Sequence, residues 1–287
     1  MERPGPLALT AKGLVIAAIA VVVLYPFVVV LSTSLATQAD ISRAGGVVFL
    51  PSHLDFGAYK EIFQGGAVTR ALAISVGVTV IGTACSMSAT IGMAYGLSRR
   101  GVTGGRFILF VALFSMLFTP GIIPSFLVVK QLGLLNNFAS LVLPTLVSAF
   151  NLVVLRSFFM SLPKDLFEAA TLDGCGDFGL LFRIVLPLSK GVLAVVGLFY
   201  AVGYWNAFFN AMLYMDSSNW PLSMILRQFV ILGLPAAGGA QSLGAELAPS
   251  EAVQNAVVII ALVPLLLVYP FLQRYFTKGV LSGAIKG

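Results

Sequence analysis

Charge is what this sequence most lacks. Asp, Glu, Lys and Arg make up 10% of its 287 residues and hydrophobic residues 59%, where soluble domains carry roughly 25% and 45–50%. A folded soluble surface needs far more charge than that, and a mean hydropathy of +0.99 cannot come from one buried core. A water-soluble globule is excluded, and the bulk of the chain faces lipid. Histidine occurs once, as His53, which argues against a histidine zinc cluster and a Ser-His-Asp triad. The two cysteines, Cys85 in an apolar run and Cys175 in a polar loop, indicate neither a disulfide framework nor a thiolate metal site. No Gly-Lys dipeptide occurs anywhere, so the chain has no Gly-x-x-x-x-Gly-Lys-Ser/Thr phosphate loop.

What is there is a set of long apolar runs. A spanning helix needs about 20 apolar residues, and six stretches of about that length contain no charged residue and no histidine: Leu14 to Leu35, Ala71 to Leu97, Phe107 to Val129, Phe138 to Leu155, Gly191 to Met215 and Ala252 to Gln273. The first exceeds the roughly 7–15 apolar residues of a signal peptide and no small-x-small site follows, so it reads as a retained span. Pro120, Gly121 and Pro124 in the third run and Pro144 in the fourth mark kinks or close helix approaches. Two connections, Ala36 to Arg70 and Asp216 to Glu251, are longer than a turn requires.

Seventeen basic against eleven acidic residues give +6, and their placement tells a membrane topology from a nucleic-acid surface. With the amino terminus inside, the cytoplasmic set is Arg3, Lys12, Arg99, Arg100, Arg106, Arg156, Lys164, Arg183, Lys190, Arg274, Lys278 and Lys286; Arg43, Lys60, Arg70, Lys130 and Arg227 lie outside. The bias obeys the positive-inside rule, and an even number of spans puts both termini in the cytoplasm. A nucleic-acid face would gather these charges together; here they are dispersed among loops.

The segment between the fourth and fifth spans, residues 161–187, is the most informative. It reads as two short helices: Ser161 as N-cap, Pro163 in the first turn, Gly174 as the left-handed stop and Asp177 as cap of the next. Leu166, Ala169, Ala170 and Asp173 recur at helical spacing. Ala169 and Ala170 leave a smooth surface, framed by Glu168 and Asp173. On physical grounds alone, a helix lying on lipid headgroups and a helix docking on another protein fit equally well.

The run Glu168-Ala169-Ala170, Asp173-Gly174, then Ile184, Leu186 and Pro187 resembles the "EAA" signature of inner-membrane permease subunits of ABC importers. The tail from Gln273 to Gly287 resembles that of the maltose-type carbohydrate permeases. Tyr204 to Tyr214 and Trp220 to Arg227 resemble the branch that imports oligosaccharides and polysaccharide fragments, of the lipo-oligosaccharide or alginate type. The resemblance implies an all-α, six-span permease of the type I importer fold. It forms one transmembrane domain over 1–287, with a cytoplasmic coupling loop at 161–187 and a cytoplasmic tail at 274–287. Glu168, Ala169, Ala170, Asp173, Gly174, Ile184, Leu186 and Pro187 would serve ATPase coupling, and Gly283, Lys286 and Gly287 would reach the same interface. Its partners would be a second homologous permease, two ABC ATPase subunits, an extracytoplasmic solute-binding protein, a carbohydrate and membrane lipid, with no nucleic acid. The resemblance also implies a place in a bacterial cytoplasmic membrane and no cofactor bound by this chain, with ATP and Mg used by the ATPase.

Ring faces stack on sugars while amides bond hydroxyls, so Trp205, Asn206, Phe209 and Asn210 on the fifth span are pathway candidates. For the aromatics, helix packing or belt anchoring stands ahead of sugar contact, and Tyr204 and Trp220 are equally candidates for the interfacial belt. Two rival functions stand beside the importer. An ion-coupled carrier usually places an ionisable or ion-coordinating group near the midplane, and none of the six runs has a side chain charged at neutral pH. A membrane-embedded enzyme needs positioned acid–base groups, and those present sit in the 161–187 loop.

Overall fold

The computed structural model describes residues 6–64, 66–99, 101–232 and 250–284. Among these there is no strand, as expected where lipid forces each backbone group to bond within its own segment. The chain opens with α1 (Pro6–Ser34), two short helices α2 (Gln38–Ala44) and α3 (Gly57–Gln64), and the long α4 (Ala67–Ser98). It continues through α5 (Gly105–Leu117), α6 (Ile122–Gln131), α7 (Ala139–Val142), α8 (Ala149–Ser161), α9 (Lys164–Leu172) and α10 (Asp177–Leu180). A π-turn at Leu181–Val185 leads into α11 (Leu186–Leu188), and α12 (Lys190–Trp205), α13 (Phe208–Tyr214), α14 (Leu222–Arg227) and α15 (Glu251–Ala284) complete it.

Three of the six apolar runs form continuous helices and the other three are bent or broken. Leu9–Ser34, Ala67–Ser98 and Glu251–Pro270 are each long and apolar enough to cross a membrane. The third run divides into α5 and α6 because Phe118 leaves the helix at φ −117°, ψ 89° and Gly121 sits at φ +84°. With 13 and 10 residues, each half is shorter than the roughly 30 Å apolar layer at 1.5 Å per residue. The fourth bends by 54° between Ala139–Thr145 and Ala149–Ser161, and an 85° bend separates Asp177–Leu188 from Lys190–Trp205. Among the described residues, counting each bent pair as one crossing gives up to five helical stretches long and apolar enough to span.

Contacts divide the chain into two compact units, Met1–Arg70 with Ile225–Val263, and Ala71–Met224 with Pro264–Gly287. In the first, every residue of α1 from Leu9 to Val28 is exposed, as suits a helix bathed in lipid or held by another chain. The segment after it is tied back by hydrogen bonds: Thr33 donates to Val48 O and accepts from Val48 N–H, and the Ser34 hydroxyl pairs with the Tyr59 hydroxyl at 2.8 Å. Asp40 accepts from the hydroxyls of Ser52 (2.8 Å) and Thr37 (2.9 Å). These two bonds hold its carboxyl below the usual carboxylate range.

The second unit has an apolar core of Leu141, Leu152, Leu155, Val185 and Val196, crossed by a polar ladder. Ser86 and Thr90 lie one turn apart on α4, and Tyr200 and Tyr204 one turn apart on α12. Their hydroxyls pair in reverse order, Ser86 with Tyr204 and Thr90 with Tyr200, both at 2.7 Å. A Cβ on Gly82, the next small residue along that stripe, would lie 2.9 Å from the Tyr204 ring, so only glycine admits the ring there. The same tyrosines serve the bend between α7 and α8. Ser148 N–H, freed where the helix restarts, donates to the Tyr200 hydroxyl at 2.9 Å, while the Ser148 side chain caps Asn151 N–H. The broken span is thereby satisfied from a neighbouring helix, the condition under which a break survives in lipid.

Candidate functional site

Two places carry the residues that the sequence singled out, and both lie in the second unit. The first is the loop of α9 and α10. Pro163 precedes α9 with φ −58°, ψ 131°, an extended entry that a proline favours. Asp165 then sits in the first turn, where the helix dipole favours an acid. Ser161 is not the cap: it ends α8, and its hydroxyl donates to Phe158 O at 2.7 Å. Asp177 is likewise the first residue of α10 rather than its cap, which is Gly176. The stop behaves as expected. Gly174 is at φ +80°, its N–H donates to Thr171 O at 3.0 Å and Cys175 N–H donates to Ala170 O at 2.9 Å. This double bond pattern is the Schellman ending, which needs a left-handed residue at that position.

Glu168, Ala169, Asp173, Gly174 and Pro187 are exposed and Ala170 is half-buried. Leu186 packs against the apolar core and Ile184 is half-buried, so these two support the loop from beneath. The side-chain carboxylates of Glu168 and Asp173 make no hydrogen bond or ion pair among the described residues. Beside them stand Leu172 and Phe178, 88% and 81% exposed. An apolar knob, a smooth alanine face and two uncommitted acids together form a surface suited to a protein partner rather than to a reaction.

The second place is a groove of about 380 Å³ between the α7–α8 bend, α12 and the start of α13, a size within the range of small-molecule sites. It is lined by Thr145, Ser148, Phe150, Asn151, Phe199, Tyr200, Gly203, Tyr204, Ala207 and Asn210. The rings of Phe150 and Phe199 are tilted by 52° to each other, with centroids 6.1 Å apart. No lining residue is charged, so its chemistry is ring faces, hydroxyls and amides.

Of the four expected pathway residues, only Asn210 lines this groove. The four do not lie on one continuous helix, because the helix stops at Trp205: Asn206 Nδ2 donates back to Val202 O at 2.9 Å, and α13 starts afresh at Phe208. Trp205 is buried, and Phe209 pairs edge-on with Phe208. Sequence reasoning missed Asn151, whose presence as an amide inside an uncharged apolar run was a legible signal. It also missed Tyr200, which stands a helical turn before Tyr204. Gly283 falls in the last turn of α15, while Lys286 and Gly287 lie outside the described residues. Among the described residues no group of His, Cys, Asp and Glu is placed to hold a metal ion.

Within the second unit, bent helices thus carry an exposed knob-bearing loop and an uncharged groove. Residues 86–282 match the family described as the inner membrane component of binding-protein-dependent transport systems. The chain belongs to that family. It is a transport subunit and not an enzyme, and it works with a solute-binding protein and an ATPase. It is 44% identical over 270 residues to the polygalacturonan/rhamnogalacturonan transport system permease protein YtcP of Bacillus subtilis, covering 93% of this chain and 94% of that one. It is 30% identical to the diacetylchitobiose uptake system permease protein NgcG of Streptomyces coelicolor, over 93% of this chain and 85% of that one. Among solved structures it resembles a chain from a bacterial ABC transporter involved in import of the acidic polysaccharide alginate. There the TM-score is 0.86 and the identity 29%, with 96% of this permease and 100% of that chain covered.

Proposed function

We propose that this permease, as a single transmembrane domain, passes an oligosaccharide or polysaccharide fragment across a bacterial cytoplasmic membrane by alternating access. In this reading it pairs with a second, homologous permease, two ABC ATPase subunits sit beneath the pair, and an extracytoplasmic binding protein delivers the solute. Both termini are cytoplasmic, ATP and Mg belong to the ATPases, and the chain binds no cofactor of its own. Glu168, Ala169, Ala170, Asp173 and Gly174 seat in the ATPase, with Ile184, Leu186 and Pro187 behind them and the tail at Gly283, Lys286 and Gly287 alongside.

The observation that carries this reading is the exposed α9–α10 loop, in which the Glu168 and Asp173 carboxylates are uncommitted among the described residues and whose stop is fixed by Gly174. The groove supports the carbohydrate part: amides from Asn151 and Asn210 meet hydroxyls, and Phe150 and Phe199 offer ring faces. Among the four candidates read from sequence, Asn210 remains a lining residue and Trp205, Asn206 and Phe209 flank it.

The test is to purify the tagged chain, identify its companions, and identify the solute bound to the soluble one. That solute then serves as the probe for Asn151→Leu and Asn210→Leu. Uptake falls while assembly and basal ATP hydrolysis persist. Normal uptake with poor assembly would instead make the groove a packing surface, with the partner permease holding the sugar. Uptake driven by an ion gradient in ATP-depleted vesicles would favour the ion-coupled carrier, and product formation by the isolated chain would revive the enzyme.

A further inference from the structure

Arg99 stands one residue beyond the end of α4, and its guanidinium lies where three parts of the second unit converge. It donates through Nη2 to Asp177 Oδ1 at 3.2 Å and to the Tyr95 hydroxyl, and it lies 4.8 Å from the Tyr95 ring centre and 4.9 Å from that of Phe167. Tyr95 in turn donates from its hydroxyl to Asp177 O at 3.0 Å. Phe167 belongs to α9 and Asp177 to α10, so one side chain holds both arms of the loop, on either side of the Gly174 turn, and ties them to α4. The end of α4 is fixed from the other direction as well, since Arg156 Nε donates to Leu97 O at 3.0 Å. Arg99–Asp177 is the ion pair found among the described residues.

Stability alone does not account for this arrangement. The Asp177 side chain is 80% exposed, and exposed ion pairs contribute little. Arg99 Nε is buried without a hydrogen-bond partner among the described residues, which costs stability. What the geometry does provide is direction. A flat guanidinium gripped by an aromatic face on one arm and a carboxylate on the other transmits a push from either. About two to four turns back along α4 from Arg99, Thr90 and Ser86 meet Tyr200 and Tyr204, which line the groove. Loop and groove are thus both tied to the one helix α4.

We infer that Arg99 is a positioning residue: it fixes the angle between α9 and α10 and carries movement of the loop into α4. The inference rests on the reading of the loop as an ATPase seat. It predicts that breaking the strut leaves the ATPases seated and working but disconnects α4 from them.

The experiment uses the complete transporter in lipid vesicles, with Cys175→Ser so that Cys85 on α4, which is exposed, takes a bimane label alone. ATP, Mg and vanadate trap the ATPases, and bimane emission reports the surroundings of α4. Trapping shifts the emission in the parent protein. In Arg99→Gln the vanadate is trapped as before, but the emission change shrinks roughly five- to tenfold, the low end for coupling between sites. Arg99→Lys keeps the charge and loses the flat face, and gives an intermediate change. If Arg99→Gln does not assemble, Asp177→Asn and Phe167→Leu each remove one arm and each reduce the change, and the exchange Arg99→Asp with Asp177→Arg restores part of it. A full emission change in Arg99→Gln, or in both single-arm variants, overturns the inference, as does a parent protein that traps vanadate with no change at Cys85. A parent complex with no vanadate trapping removes the loop reading itself, and is seen before any variant is measured.

Discussion

Tyr200→Phe isolates one oxygen in the polar ladder while keeping the ring and its packing. That oxygen has two partners, the Thr90 hydroxyl at 2.7 Å and Ser148 N–H at 2.9 Å. Hydrogen bonds between membrane helices average about 0.6 kcal/mol and reach about 1.7, and a buried group left wholly unpaired costs about 1–3 kcal/mol. The Thr90 hydroxyl can turn to the carbonyl one helical turn back, so its loss falls at the low end. Ser148 N–H has no such refuge, because it opens α8 after the bend and its former helical acceptor is gone. The expected cost is therefore about 2 kcal/mol, a folded-to-unfolded ratio lower by a factor of roughly 30. Tyr204→Phe should cost less, about 0.5–1 kcal/mol, because only its 2.7 Å bond to Ser86 is short and its contacts with Val142 O and Thr145 are at 3.4 and 3.5 Å. Both are measured by reversible unfolding of the purified permease in mixed micelles, followed by circular dichroism. Thr90→Val combined with Tyr200→Phe should cost less than the sum of the two, since the pair shares a bond. Equal costs for the two tyrosines, or strict additivity with Thr90, would refute the idea that the tyrosine hydroxyl sustains the break.

Gly82→Ala should destabilise by about 1–3 kcal/mol in the same assay, because the new Cβ would meet Tyr204 ring carbons at 2.9 Å; an unchanged midpoint would mean that the ring has room to move. Gly174→Ala places a side chain at φ +80°, a strain of about 1–2 kcal/mol, and should lower solute-stimulated ATP hydrolysis while leaving membrane insertion normal, with Asn milder than Ala. Asp40 has a folded pKa below its unfolded value, owing first to the hydrogen bond from Ser52 and then to that from Thr37. Its contribution is therefore fully present above the unfolded pKa of about 3.9 and is lost as pH falls through the lower folded value. Asp40→Asn should accordingly lower the unfolding midpoint at neutral pH, with the difference closing in acid; a difference that widens in acid would reverse the sign of the argument.

Much of the scaffold was legible because apolar length is a strong signal: α1, α4 and α15 follow three of the runs closely. The breaks were legible only where a special residue marks them. Pro120 and Gly121 flag the gap between α5 and α6, and Pro144 stands at the bend before α8. The break after Trp205 has no such marker; an asparagine side chain bonding its own helix ends it, and amides do this only in some contexts. In the loop, Gly174 was readable because a left-handed position has few solutions, whereas Ser161 as a cap was not. Its hydroxyl had a competing acceptor one turn back, in α8. The groove was hardest, since Asn151, Tyr200 and Asn210 come from different segments and meet only through two bends. Arg99 read as one of many inner-side positive charges, and only the packing of Phe167 and Asp177 around it sets it apart.

The central claim is that the exposed loop of α9 seats in an ATPase, and a cysteine at Ala169 tests it most directly. With Cys85 and Cys175 replaced by serine, Ala169→Cys in the intact transporter should form a short cross-link to an ATPase subunit. The link should hold solute-stimulated ATP hydrolysis near its basal rate until a reducible linker is cut. Cross-linking to no protein while hydrolysis remains fully stimulated would contradict the account and leave the helix on the lipid surface.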